Sequence, residues 1–175
     1  MPNPSLQNVL IKGQSLSLSR TYVFLFCTTT ETIHLELVSE FSTAAFLTAL
    51  CRFICKRGCP SKIISDDGTK FKGPAKHVKK LIILCSDERV QNFFSMKGIQ
   101  YSFILPYMPH FGRLWESVIK SAKQVLTKVS NSALLNFEEM YIFPLQIEAC
   151  LNSRPLTKLS SDPSYLCALT PANFF

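Results

Sequence analysis

The 175-residue chain has no long apolar run: its longest uninterrupted stretch, Tyr22 to Cys27, is six residues, far short of the roughly 20 needed for a helix to cross a bilayer. No membrane partner is expected. The first residues, Met1-Pro2-Asn3-Pro4-Ser5, lack a basic stretch backed by an apolar core, which argues against a secretory leader and for an intracellular protein. Six glycines and ten prolines, with no repeat or low-complexity tract, exclude collagen-like, linker-like and solenoid architectures. No CxxC pair or neighbouring histidine accompanies Cys51, Cys55 and Cys59. Their four-residue spacing suits either a metal face or a helix carrying buried thiols, and the second is expected. Seven cysteines in all, an odd number, are read as reduced.

What the chain has is apolar mass: 47% hydrophobic and 11% aromatic against 18% charged residues. That is enough for one buried core, and it excludes intrinsic disorder. The net charge of +7 is uneven. Residues 1–65 carry six Lys/Arg and three acids, residues 66–123 ten and five, and residues 124–175 three and four. The cationic middle favours a polyanionic partner, nucleic acid first, over a merely solvated surface.

Thr21–Phe26 is β-rich, and in Thr32–Val38 the residues Ile33, Leu35 and Leu37 alternate with Thr32, His34 and Glu36. The two predict a hairpin turning at Thr28–Glu31, with His34 and Glu36 on its solvent side. Ser42 is the expected N-cap of a helix over Thr43–Arg57, closed by Gly58 and Pro60. Lys62–Ser65 predicts a short buried strand delivering Asp66 to its carboxyl end, a common place for active-site groups in α/β sheets. Further predicted elements are a basic amphipathic segment (Ala75–Cys85), a helix (Asp87–Lys97), a strand (Ile99–Leu105) and a loop (Pro106–Gly112). A long helix over Arg113–Val129 follows, then a helix over Phe137–Asn152 containing Pro144, and a loop-like tail from Ser153 to Phe175. This order predicts an α/β fold with a mixed sheet flanked by helices.

The informative polar residues are acids, because phosphoryl transfer on DNA commonly uses carboxylates to hold two divalent ions. Asp66 at a strand end and Glu116 in the first turn of the Arg113–Val129 helix are the pair expected to meet. Three strings surround them or follow in order: Ile64-Ser65-Asp66-Asp67-Gly68-Thr69-Lys70-Phe71, then Pro109-His110-Phe111-Gly112-Arg113-Leu114-Trp115-Glu116, then Leu151-Asn152-Ser153-Arg154-Pro155-Leu156-Thr157. Together these closely resemble the integrase catalytic core of LTR retroelements, and the last string with Leu169-Thr170-Pro171 looks most like the Bel/Pao group. The resemblance spans residues 21–175.

The resemblance implies an RNase H-like fold, a three-acid site binding Mg²⁺ or Mn²⁺, and the joining of retroelement DNA ends to target DNA. It makes Asp66 the second acid and Glu116 the third. It places Lys120 and Lys123 where the family grips a DNA end, although both also suit an exposed helix face. His110 and Arg113 join the expected DNA-binding set, with His110 either touching DNA or holding its loop by a hydrogen bond. His34-Leu35-Glu36-Leu37 also fits the family. DNA is the expected partner, nuclear residence follows from it, homo-oligomerisation is left open, and no small-molecule cofactor is expected.

One departure matters most. The family's first acid lies on the first strand, upstream of a Leu-Ile-Lys segment; Leu10-Ile11-Lys12 is present, but no aspartate occurs before Asp66. The acids that do, Glu31, Glu36 and Glu40, fall in or after the hairpin. The first strand is therefore expected to be truncated or degenerate. Residues 1–20 would be its remnant and a loop, 21–152 the core-like domain and 153–175 its tail, the whole a fragment of a longer element-encoded chain. Strand transfer should be impaired, since losing one active-site carboxylate commonly costs two or more decades of rate. Asp67, which replaces the family's usual asparagine, is read as a turn residue rather than a metal ligand. Two alternatives stand beside this: a non-catalytic DNA- or protein-binding module retained from a retrotransposon, and an intact enzyme whose first acid is encoded upstream of Met1.

Overall fold

The computed structural model describes residues 8–17, 20–40, 42–65, 83–103, 109–132, 136–159 and 167–174. Five strands, β1 (Asn8–Ser17), β2 (Arg20–Cys27), β3 (Ile33–Val38), β4 (Lys62–Ser65) and β5 (Gln100–Phe103), form one mixed sheet in the order β3-β2-β1-β4-β5. β1, β2 and β3 run antiparallel as a meander, whereas β4 and β5 run parallel to β1. The chain returns to the sheet centre through α1 (Thr43–Arg57), and α2 (Glu88–Lys97) precedes β5. After β5 come α3 (Pro109–Ser132), α4 (Phe137–Asn152), a two-stranded ribbon of β6 (Thr157–Lys158) with β7 (Ala168–Leu169), and a 3-10 turn (Pro171–Phe174).

Several boundaries follow directly from local chemistry. The Ser42 side chain accepts from the Ala45 N–H and so caps α1. Asp87 caps α2, and Asn136 with Glu139 forms a reciprocal capping box at α4. Gly98 ends α2 at φ 67°, where its N–H reaches Phe94 and Ser95 carbonyls, a left-handed closure that suits glycine because it has no Cβ.

Other boundaries correct the expectations. The first strand is degenerate in carrying no acid, but it is not short. Its ten residues pair with β2 along nearly their whole length and with β4 over Asn8–Ile11, so it is the central strand rather than a remnant. The polar run Lys12–Ser17 hides this from periodicity, because ladder pairing to the β-rich Thr21–Cys27 segment draws it into the sheet. α3 starts at Pro109, four residues early, since proline is favoured at the first helical position. The tail is not all loop, for it contains the β6–β7 ribbon and the closing 3-10 turn. The basic segment Ala75–Cys85 lies outside the described residues except for its last turn, Ile83–Cys85, which is helical.

Both sheet faces are covered. On one face Val9, Ile11, Val23, Leu25 and Ile63 meet Phe46, Leu50 and Phe53 of α1 and Val90 and Phe94 of α2. On the other, Leu10, Tyr22, Phe24, Ile33 and Leu35 meet Trp115, Ile119, Ala122 and Leu126 of α3 and Ile147 of α4. Cys51 and Cys55 are exposed on α1, which corrects the buried-thiol expectation: the core-facing side of that helix belongs to Phe46, Ala49, Leu50 and Phe53.

β3 is an edge strand, and α4 closes that edge. Asn152 accepts from the Ile33 N–H at 2.9 Å and donates to the Ile33 carbonyl at 2.8 Å, as a neighbouring strand would. One helical turn earlier, Glu148 accepts from the Leu35 N–H at 3.0 Å. Arg154 then holds the β2–β3 turn by donating to the Glu31 carbonyl at 2.9 Å and its carboxylate at 3.2 Å. Glu31 sits at φ 56°, a conformation costly for a residue with a Cβ, and this clamp offsets that cost. Asn152→Ala leaves two buried backbone groups of Ile33 unsatisfied, so the expected loss is about 1–3 kcal/mol per group, measured by urea unfolding. A loss below about 0.5 kcal/mol would show that the edge is sealed by other means.

Candidate nucleic-acid interface

β4 ends at Ser65, which is fully buried, and Asp66 is the next residue in the chain. The Ser65 hydroxyl is 2.7 Å from the Tyr101 hydroxyl on β5, and Tyr101 stacks on Phe94 at 5.5 Å. Burial and the neighbouring Cys85 push the Tyr101 hydroxyl well above its ordinary pKa, and burial pushes the Cys85 thiol up to about 11. The carboxyl end of β4 is thus braced by neutral, hydrogen-bonded groups. Asp66 and Asp67 themselves lie outside the described residues.

Five residues separate β5 from α3, and Trp115 of α3 packs on the sheet face that carries Leu10 of β1 and Ile64 of β4. Trp115 anchors the helix from below at 2% exposure, and that anchor turns the next residue, Glu116, to solvent. Lys120, one turn on, is exposed too, whereas Lys123 is half-buried. His110 and Arg113 lie in α3 by their backbone. For His110 this corrects the loop placement, because the helix already starts at Pro109. The structure therefore gathers Glu116, Lys120, Lys123, His110 and Arg113 on one helix, and the Asp66 expected to meet Glu116 lies outside the described residues.

No group of three or more His, Cys, Asp or Glu side chains able to hold a metal occurs among the described residues. β1 passes next to β4 through Asn8–Ile11 and has no acid anywhere in its ten residues.

The strongest electrostatic feature lies elsewhere. His34 and Glu36, expected on a solvent face, are buried at 3% and 2% exposure. Alternation misleads here because α1 covers the second face of the hairpin as well. His34 Nε2 is 2.9 Å from Glu36 Oε1, and its Nδ1 lies 3.0 Å from Glu148 Oε2 with off-axis geometry. Glu36 accepts from Arg52 Nε at 2.6 Å and from Lys56 Nζ at 3.2 Å, while Arg57 pairs with Glu148. The His34 ring also meets the Phe53 ring at 5.4 Å. Three helical cations are thus spent on two buried carboxylates, so the end of α1 offers little free positive charge to a ligand. The same cluster joins β3, α1 and α4. The sequence signal that would have revealed it is two polar residues at i and i+2 on a strand, followed by a helix bearing basic residues at i, i+4 and i+5.

The fold is that of a retroviral integrase catalytic core. The chain is similar to a chain of the simian T-cell lymphotropic virus intasome, whose cryo-EM structure is in complex with PP2A regulatory subunit B56 gamma, with a TM-score of 0.65 and 17% identity. That match covers 99% of this chain and 54% of the viral one, so this chain spans about half the length of that relative. It is similar also to the catalytic core domain of BIV integrase, with a TM-score of 0.63 and 15% identity over 97% of this chain and 93% of that one. Neither a protein-family model nor a curated protein sequence matches the chain. At these identities the likeness is one of fold.

The buried cluster makes stability depend on pH in a defined direction. Burial alone would lower the His34 pKa, but hydrogen bonds and charge from Glu148 and Glu36 outweigh it and raise the value above the ordinary 6.5. Burial alone would raise Glu36, yet His34 and Arg52 hold its carboxyl at about 2, and Glu148 is also lowered, chiefly by His34. A raised imidazolium stabilises the fold fully below 6.5 and loses that contribution as pH rises through the folded value. The carboxylates contribute fully above 4.5 and lose it as pH falls toward 2. Thermal unfolding should therefore peak between 4.5 and 6.5 and decline on both sides. A melting temperature that keeps rising through neutrality would contradict a charged, doubly paired His34.

Proposed function

We propose that this chain is a nucleic-acid-binding integrase core of retroelement type, with metal-dependent polynucleotidyl transfer that is impaired for want of the first acid. The observation that supports the proposal is the exposure of Glu116 and Lys120, one turn apart on α3, a helix whose Trp115 packs on the sheet face carrying Leu10 of β1 and Ile64 of β4. The integrase core fold around them supports it. Assignment to the Bel/Pao group rests on the Leu151–Thr157 and Leu169-Thr170-Pro171 strings.

In this proposal Asp66 and Glu116 are the residues that would hold Mg²⁺ or Mn²⁺, oxygen donors of the kind such hard cations take. When bound, the ion would supply charge stabilisation at the phosphoryl oxygens. Lys120 neutralises phosphate beside that point, Lys123, half-buried and engaged within the protein, stands next to it on the same helix, and His110 and Arg113 belong to that helix by their backbone. With no carboxylate from β1 to complete the set, Asp66 and Glu116 would hold such an ion only weakly, and developing charge would be poorly stabilised. DNA as partner, self-association and nuclear residence belong to the same proposal.

The acid-free β1 specifically favours a second reading, a non-catalytic module retained from a retrotransposon that holds DNA or a protein through the same face. Mn²⁺-dependent nicking and strand transfer on a short duplex, with this chain and its Glu116→Gln variant, test both. Duplex binding without activity above background in either chain is the expected result. Robust wild-type activity abolished by Glu116→Gln would overturn the impairment, and absence of any duplex binding would overturn the nucleic-acid reading.

A further inference from the structure

The described cations of this protein are not equivalent. Arg52, Lys56 and Arg57 of α1 are committed to Glu36 and Glu148, Arg89 of α2 to Asp87, and Arg154 to Glu31. α4 contains no Lys or Arg and exposes Glu138 and Glu139. α3 differs from all of these. Lys120 and Lys128 are both exposed, and among the described residues no carboxylate lies within ion-pair distance of either. No acid occurs in α3 after Glu116, all the way to Ser132.

We propose that the outward row Glu116, Lys120, Gln124 and Lys128 of α3 is an extended docking track for the sugar–phosphate backbone of duplex DNA, with Lys128 as a phosphate contact two turns beyond Lys120. The proposal rests on the nucleic-acid reading above and lengthens the surface it uses. All four side chains are exposed. Members of the row are four residues apart, about 6 Å along the axis. Lys120 and Lys128 are thus about 12 Å apart along the helix, comparable to the rise of three to four nucleotides at about 3.4 Å each. Between them Gln124 offers amide donors that suit a phosphate oxygen without adding charge.

Each step of four residues turns the row by about 40° around the helix. The backbone it fits therefore crosses α3 obliquely rather than running along its axis. A straight path would instead use Glu116, Lys120, Lys123 and Thr127, but Lys123 is half-buried and already engaged within the protein. Lys97 at the end of α2 is exposed on the opposite face of the sheet and cannot share the track, which makes it the internal control.

The test is fluorescence anisotropy of a short DNA duplex with the full chain across a NaCl series, comparing salt slopes. Lys128→Ala should lower the slope of log affinity against log salt by about 0.9 and weaken binding at low salt, while Lys97→Ala should do neither. Gln124→Lys should raise the slope by a similar amount. All these positions are exposed, and unchanged thermal unfolding of each variant verifies the fold. If Lys120→Ala lowers the slope and Lys128→Ala leaves it unchanged, the track ends at Lys120 and the proposal falls while the nucleic-acid reading stands. A slope gain from Thr127→Lys without one from Gln124→Lys overturns the oblique path. Equal losses from Lys97→Ala and Lys128→Ala mean diffuse attraction and overturn the track, and a wild-type chain that binds no duplex overturns both readings.

Discussion

The fold depends on how one open sheet edge is closed. β3 has hydrogen-bonding groups facing away from β2, and such groups cost free energy when buried without partners. Asn152 and Glu148, one turn apart on α4, present amide and carboxylate to those groups at the spacing a strand would use. A helix thereby completes a sheet. The arrangement also fixes where α4 can sit, because its side chains must align with Ile33 and Leu35, and α3 packs beside α4 on the same face of the sheet.

The closure draws ionic chemistry inward. Glu148 could not be buried at the edge as a lone charge, since an unpaired buried carboxylate is strongly disfavoured. Arg57 and His34 compensate it, His34 is shared with Glu36, and Glu36 recruits Arg52 and Lys56. A single sealing residue thus organises the cations of α1. Breaking such a pair from one side costs more than the pair contributes, because the survivor is left buried and uncompensated. The consequence for ligand binding is a sorting of positive charge, inward-facing at α1 and outward-facing on α3.

Much of this was legible in the amino-acid order. Ser42, Gly58, Asp87 and Gly98 mark helix ends through capping chemistry that acts within a few residues, and α1, β4 and α4 fall where those rules place them. The amphipathic spacing of Trp115, Val118, Ile119, Ala122 and Leu126 likewise announces α3. What escaped were features made by distant pairing. The polar second half of β1 becomes a strand only through β2, and His34 and Glu36 look solvent-facing until α1 and α4 cover them. The Leu151–Thr157 string, read as a family signature, has a physical task of its own. Asn152 and Arg154 fasten the β3 edge and the turn leading to it. Of the candidate site, Glu116 and Lys120 stand exposed on the expected helix, while the partner strand that should supply an acid has only apolar and uncharged polar residues besides Lys12.

The separation along the chain between Ile33 and Asn152, 119 residues, has a bearing on biosynthesis. A ribosome making this polypeptide releases the β1–β3 meander long before the helix that covers its rim. Throughout that interval the nascent sheet displays a bare, β-rich margin of the type on which intermolecular strand pairing begins. Until that helix emerges, the meander depends on other means, such as chaperone cover, to keep its margin from pairing with another chain.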